Sequence, residues 1–212
     1  MWCPPVQQAT EDNLPTFFLA TVIYFMKSKF TLRKKCLEKR EIFFKKKGSE
    51  CLKLKDLKVI ILEIKSKLKI SSIGIYYPIK SEISPLKLVE ICKNLSIKIC
   101  LPVIYKKTNE LIFSKFENEM NIKKNEYGII EPNKIIQIIP DIIFVPMVGF
   151  DENLNRLGYG KGFYDRTISK LRKLKKIFVI GLAYDNQMVR NIPTENHDEK
   201  MDIIVTDKKI YK

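Results

Sequence analysis

Apolar and polar positions divide the chain into helix-like and strand-like stretches that alternate along most of its length. From Lys27 to about Lys47, Phe30, Leu37 and Phe44 recur along one side with charges elsewhere, the pattern of an amphipathic helix, and Gly48-Ser49 ends it. Leu52 to Leu68 reads as a second, moderately regular helix. Ser72 to Tyr77 is a short apolar run closed by Pro78, which predicts the first central strand. Ser84-Pro85 then opens a helix in cap and first-turn order, with Leu86, Val89, Cys92 and Leu95 as its apolar face. Ile97 to Leu101, ending at Pro102, predicts a second strand and Leu111 to Phe116 a third. Ile142 to Pro146 is the most apolar strand. After it, Tyr164, Ile168, Leu171 and Leu174 trace a helix face, and Ile177–Leu182 and Asp202–Thr206 read as the last strands. Strand and helix signals alternating from residue 72 onward predict a layered α/β domain with a largely parallel sheet.

The first 28 residues differ from the rest. Pro4, Pro5, Glu11 and Asp12 precede an apolar run, Phe17 to Met26, of about ten residues, where a bilayer span needs about 20. No positive charge precedes the run as a signal peptide requires. It reads either as a segment packed on the domain or, preferably, as an extension upstream of a start at Met26. The expected organisation is therefore residues 1–26 as an atypical extension and 27–212 as one domain, a size that suits a single core.

Composition narrows the class. Cys3, Cys36, Cys51, Cys92 and Cys100 form an odd set with no C-x-x-C spacing, and His197 is the only histidine. That predicts free thiols in a reducing, cytoplasmic compartment and argues against structural zinc. The formal net charge is +15, and residues 27 to 69 alone hold 16 basic and 5 acidic side chains. Clustered Lys and Arg invite a nucleic-acid reading, but no reading motif accompanies them. The chain is also crowded with Lys, Ile and Asn, the residues of A/T-rich codons. No specific nucleic acid and no membrane partner is expected.

The candidate chemistry lies between the strand at 142–146 and the helix after it. Three of the eight glycines, Gly158, Gly160 and Gly162, fall at alternate positions there, with Arg156 and Lys161 among them and Asp165 beyond. Such spacing in a glycine-poor chain points to positive φ or to close approach of a partner. Backbone N–H groups, two cations and a helix N-terminus favour an anion, phosphate above all. A carboxylate just beyond suits a metal on that phosphate. The spacing is neither a Walker loop nor a dinucleotide fingerprint.

Asn155-Arg-Leu-Gly-Tyr-Gly-Lys-Gly-Phe-Tyr-Asp-Arg166, following the Val-Pro-x-x-x-Phe-Asp end of the strand, resembles the signature of the 5-formyltetrahydrofolate cyclo-ligases, also called methenyltetrahydrofolate synthetases. Tyr159 stands at a variable place of that signature that is basic in some members, and Phe163 replaces a common tyrosine. The resemblance covers about residues 27 to 206 and implies a three-layer, Rossmann-like α/β fold. It implies that Lys29 and Arg33, four apart on one helix face, lie against nucleotide phosphates together with Arg156, Leu157, Gly158, Tyr159, Gly160, Lys161 and Gly162. It implies a folate subsite at Tyr77, Glu82, Tyr127 (in Tyr127-Gly-Ile-Ile-Glu-Pro132) and Tyr164, and magnesium at Asp165 and Asp198. Lys161, Tyr164 and Arg156 are the implied catalytic groups.

The implied reaction converts 5-formyltetrahydrofolate to 5,10-methenyltetrahydrofolate with ATP and magnesium, releasing ADP and phosphate through a phosphorylated formyl group, an iminium phosphate. A monomer is expected, with the folate substrate in mono- or polyglutamylated form as its partner.

Overall fold

The structure, a computed structural model, describes residues 16–117, 121–126 and 128–212. Helices α1 (Thr16–Lys47), α2 (Leu54–Lys67), α3 (Leu88–Asn94) and α4 (Phe163–Leu174) accompany eleven strands among the described residues. In chain order these are β1 (Ser72–Gly74), β2 (Lys98–Tyr105), β3 (Glu110–Phe116), β4 (Ile122–Lys124), β5 (Ile130–Pro132) and β6 (Ile142–Pro146), then β7 (Gly149–Phe150), β8 (Arg156–Leu157), β9 (Phe178–Leu182), β10 (Ile203–Val205) and β11 (Ile210–Tyr211). Seven of them form one sheet in the order β11-β10-β9-β6-β1-β2-β3, while β4-β5 and β7-β8 are separate hairpin pairs.

The five inner strands, β10, β9, β6, β1 and β2, run parallel, and the antiparallel β11 and β3 close the two edges. Counted along the chain, the parallel strands lie in the order 2-1-3-4-5, the doubly wound arrangement whose winding reverses between β1 and β6. Alternation along each strand feeds two cores, one per face. Ile142 and Phe144 of β6, with Ile180 and Ile203, join Leu57, Ile60, Ile61 and Ile64 of α2 and Leu88 and Cys92 of α3. Ile143 and Val145, with Val179 and Ile204, join Ile168 and Leu171 of α4. The three layers expected from the sequence are therefore present. On the α2 side the helix repeats its apolar residues at i, i+3, i+4 and i+7, the stripe that a sheet face covers. Phe144, fully buried, would cost about 3–5 kcal/mol if cut to alanine.

Several local features depart from the sequence pattern. β1 pairs only through Gly74, and the chain leaves the sheet after Ile75 donates to the Cys100 carbonyl. β2 runs through Pro102 instead of stopping there. Lys98 donates to Ser71 and Cys100 accepts from Ile75, so even-numbered β2 residues face β1. Pro102 is the next of these, at the point where pairing with β1 ends, and its missing N–H interrupts no surviving ladder. The helix expected from Ser84-Pro85 begins as a turn, with Leu88 donating to the Pro85 carbonyl, and becomes α-helical only at Leu88.

Leu174 ends its helix exposed, and the edge strand β11 had no sequence signal. On α1, Phe30 is exposed, and among the side chains described, from Lys29 onward, the buried ones are Lys29, Cys36 and Arg40. No described helix is long and apolar enough to cross a membrane. The prolines and acids at positions 4, 5, 11 and 12 lie outside the described residues.

Candidate functional site

A cleft of about 580 Å³ opens over the carboxyl ends of β1, β2 and β6, at the reversal of the winding, where open α/β sheets receive their ligands. Its walls divide by element. Tyr76, Tyr77 and Ile79 after β1, Pro102 and Ile104 of β2 and Leu111 of β3 give it an apolar side. Lys29 and Arg33 of α1, Arg156 of β8, Lys161 of the glycine loop, and Asp165 and Asp198 give it a charged one.

The glycine loop owes its course to two anchors. Asp151, fully buried, accepts from the backbone N–H groups of Asn153, Asn155 and Ile192 and from the Asn155 side chain, which fixes the turn between β7 and β8. At the far end Gly162 (φ 65°) is the left-handed residue from which α4 starts, and Gly160 has φ 98°. Both conformations favour glycine. The loop thus runs straight into the N-terminus of a twelve-residue helix, an end that attracts anions.

The cations on this side are already engaged. Lys29, buried, donates to Glu195 Oε1 at 2.9 Å and Asp198 Oδ2 at 2.8 Å. Burial alone would lower its pKa, but the two carboxylates outweigh it and hold the ammonium above its ordinary value. Arg33 Nε donates to the Gly158 carbonyl at 2.9 Å. Arg156 Nη2 reaches Asp165 Oδ2 at 2.8 Å, a pair in which both side chains are nearly buried. The other oxygen of Asp165 accepts from the Glu199 amide. Arg156 Nε is buried with no acceptor among the described residues, an orphan donor of the kind that a bound oxyanion satisfies.

The folate-side candidates lie deeper. Glu82 is buried, its carboxylate accepts from the Ile79 amide at 2.9 Å, and burial pushes its pKa up to about 7 against the opposing pull of that amide, Arg40, the Tyr159 hydroxyl and Lys80. Burial likewise pushes up the phenol of Tyr164. Its ring lies 5.6 Å from the Arg156 guanidinium.

Every sequence-predicted residue that is described lines this one cleft: Lys29, Arg33, Tyr77, Glu82, the stretch Arg156–Gly162, Tyr164, Asp165 and Asp198. Tyr127 lies outside the described residues. Leu157 is buried, so it offers the cleft backbone more than side chain. Sequence reasoning missed Glu195 at the rim, where the lone His197 also lies, and Tyr76 and Ile79 in the wall. It also missed Arg40, which is fully buried behind the glycine loop. A signal for Arg40 existed, because Lys29, Arg33, Cys36 and Arg40 fall at i, i+4, i+7 and i+11 on a single helix face.

A family model described as the 5-formyltetrahydrofolate cyclo-ligase family matches residues 25–207. The chain belongs to that family. The 5-formyltetrahydrofolate cyclo-ligase of Haemophilus influenzae is 38% identical over 141 residues, 63% of this chain and 75% of its own length. The cyclo-ligase of Mycoplasma pneumoniae is 31% identical over 181 residues, 85% of this chain and 99% of its own. Among solved structures, the 5,10-methenyltetrahydrofolate synthetase of Aquifex aeolicus superposes with a TM-score of 0.65 at 28% identity, covering 87% of this chain and 92% of its own. The synthetase of Mycoplasma pneumoniae gives 0.63 at 27%, covering 85% and 99%. Membership makes this chain an enzyme of the cyclo-ligase class. The two names its relatives carry denote the substrate and product of one conversion, from the 5-formyl to the 5,10-methenyl folate.

The donor set can be tested against a nucleotide and a metal. Four cations and an orphaned guanidinium N–H suit a polyphosphate. Among the described residues no three His, Cys, Asp or Glu side chains come together as a metal cluster. Two carboxylates fit magnesium carried on phosphate oxygens, since magnesium keeps waters and takes one or two carboxylates beside the phosphates.

Proposed function

We propose that the chain converts 5-formyltetrahydrofolate to 5,10-methenyltetrahydrofolate at this cleft, with ATP as phosphoryl donor and magnesium bound beside it. The observation that carries the reading is the meeting, in one cleft at the sheet's switch point, of an apolar wall with a cationic glycine loop whose Arg156 keeps an unsatisfied buried N–H. Lys29, Arg33, Arg156 and Lys161, with the loop amides from Gly158 to Gly162, hold the triphosphate. Asp165 and Asp198 hold the magnesium, which when bound neutralises charge on the phosphate oxygens. Tyr77, Glu82, Tyr127 and Tyr164 bind the folate.

The chemistry requires expelling a formyl oxygen, a poor leaving group. That oxygen attacks the γ-phosphorus and ADP departs, leaving an iminium phosphate at N5. N10 then attacks the formyl carbon, phosphate leaves with the formyl oxygen, and N10 loses its proton to give the methenyl bridge. Few bonds to protein form or break, so the chain contributes position and fixed charge, as in other phosphoryl transfers. Arg156 and Lys161 face the charge that develops on the transferred group, and Tyr164, stacked beside Arg156, packs against the folate ring.

Ion pairs at the site give binding a further property. Lys29 and Arg156 are held by the same carboxylates that would take the metal. A magnesium–nucleotide complex supplies a partner to both halves of each pair, whereas bare nucleotide must compete with Asp165, Glu195 and Asp198 for the cations. A heavy-oxygen label in the formyl group tests the reaction course. The label should appear in the released phosphate, one per folate consumed; label retained in ADP or lost to water contradicts it.

A further inference from the structure

Arg40 has no place in the chemistry above, yet it is the largest fully buried side chain described, at 1% exposure. Its guanidinium spends its donors on neutral acceptors, Ser81 Oγ at 3.2 Å, the Met147 carbonyl at 3.2 Å and the Tyr159 hydroxyl at 2.6 Å. Among the described residues no carboxylate lies within ion-pair distance of it. A buried cation without a contacting anion is costly, so the site must use its charge at one remove. The Tyr159 hydroxyl accepts from Arg40 and faces the Glu82 carboxylate. Arg40 of α1 thus holds Tyr159 of the glycine loop, whose hydroxyl faces Glu82, and through Ser81, the residue before Glu82, it is bonded directly to the turn after β1.

We propose that Arg40 is a positioning residue for the folate side of the reaction, holding the turn that carries Glu82 in place against the cleft through its bonds to Ser81 and the Tyr159 hydroxyl. The inference rests on the assignment of Glu82 to the folate subsite. The groups that face Glu82 are Arg40 from α1, Lys80 in its own turn, Tyr76 before it, Tyr159 from the glycine loop, Tyr164 from α4 and Tyr184 after β9. Arg40 and Lys80 are the cations among them, and of the two only Arg40 is buried.

Steady-state kinetics of Arg40→Met and Tyr159→Phe, each checked for a wild-type thermal transition, test this. Either variant should raise the folate KM about tenfold, the worth of a hydrogen bond to a charged group, with the ATP KM near wild type. The double variant should be no worse than the worse single, since both substitutions break the same Arg40–Tyr159 bond. In wild type the folate KM should rise as pH falls through about 7, where Glu82 takes up its proton. In Arg40→Met that rise should move up by about one pH unit, and Arg40→Lys, which keeps the charge, should move it back. If Arg40→Met does not fold, Tyr159→Phe carries the test through its KM split alone. Additive effects, an unmoved pH profile in folded Arg40→Met, or a loss shared equally with ATP overturns the proposal as a merely structural plug would. Glu82→Gln separates the two levels. A raised folate KM there with wild-type values in Arg40→Met overturns this inference alone, and an unchanged KM in Glu82→Gln overturns the subsite assignment and this inference with it.

Discussion

Glu82 lines the cleft at a cost to the fold. Its carboxyl is buried at 3% exposure and titrates near 7, far above its value in an unfolded chain. A folded pKa raised in this way means the unfolded state ionises first as pH rises. The stability cost is absent below about pH 4.5, grows through the window between, and is complete above about pH 7. Its full size is on the order of 3 kcal/mol. Glu82→Gln should therefore raise the thermal midpoint at pH 8 and leave it near wild type at pH 5; an equal gain at both would mean that the buried charge is not the cause. Glu195 makes a different case, because it is half-exposed and pairs with Lys29. Removing its charge in Glu195→Gln should tighten magnesium-free ADP several-fold in calorimetry, since Lys29 then has one competitor fewer. Weaker or unchanged binding would show that the pair does not oppose the phosphate.

At the scale of elements, α1 and the glycine loop carry most of the charged half of the cleft, and they were legible to different degrees. The loop was readable because three glycines at alternate positions, a cation between two of them and a following helix leave little other use for the pattern. Gly162 bears this out with φ 65°. A Cβ there would stand 2.7 Å from Arg166 Nη1, the terminal nitrogen of a side chain that also donates to the Lys161 carbonyl. Gly162→Ala should cost about 1–2 kcal/mol for the left-handed backbone and lower kcat through the displaced loop; chemical denaturation and turnover at wild-type levels would contradict that. The face of α1 was not readable from apolar spacing, because its buried stripe is Lys29, Cys36 and Arg40 while Phe30 points outward. Burial of cations by a ligand site inverts the rule on which hydrophobic periodicity depends. β11 is two residues long, below the length at which period-two alternation exists, and it forms only because β10 offers an edge. Pro102 misled for the opposite reason, since its effect depends on which neighbour its missing N–H would have faced.

For the molecule as a whole, the strand order supplies the logic that no single motif does. Five parallel strands wound in two directions leave one crevice at their carboxyl ends, and residues as far apart as Lys29, Glu82, Lys161 and Asp198 reach it. That convergence could be inferred from sequence only through resemblance, because spacing along a chain does not specify which loops meet. The excess positive charge between residues 27 and 69 is partly absorbed by the site, through Lys29, Arg33 and Arg40, and the remainder lies largely on exposed positions of α1 and α2. The central claim is the ATP- and magnesium-dependent closure of the folate ring at this crevice. Its most direct test is the absorbance of the conjugated methenyl product after mixing protein, 5-formyltetrahydrofolate, ATP and magnesium, with each component omitted in turn. Absorbance should rise only when all four are present. A rise without ATP, or no rise from folded protein that binds both ATP and the folate, would contradict the account.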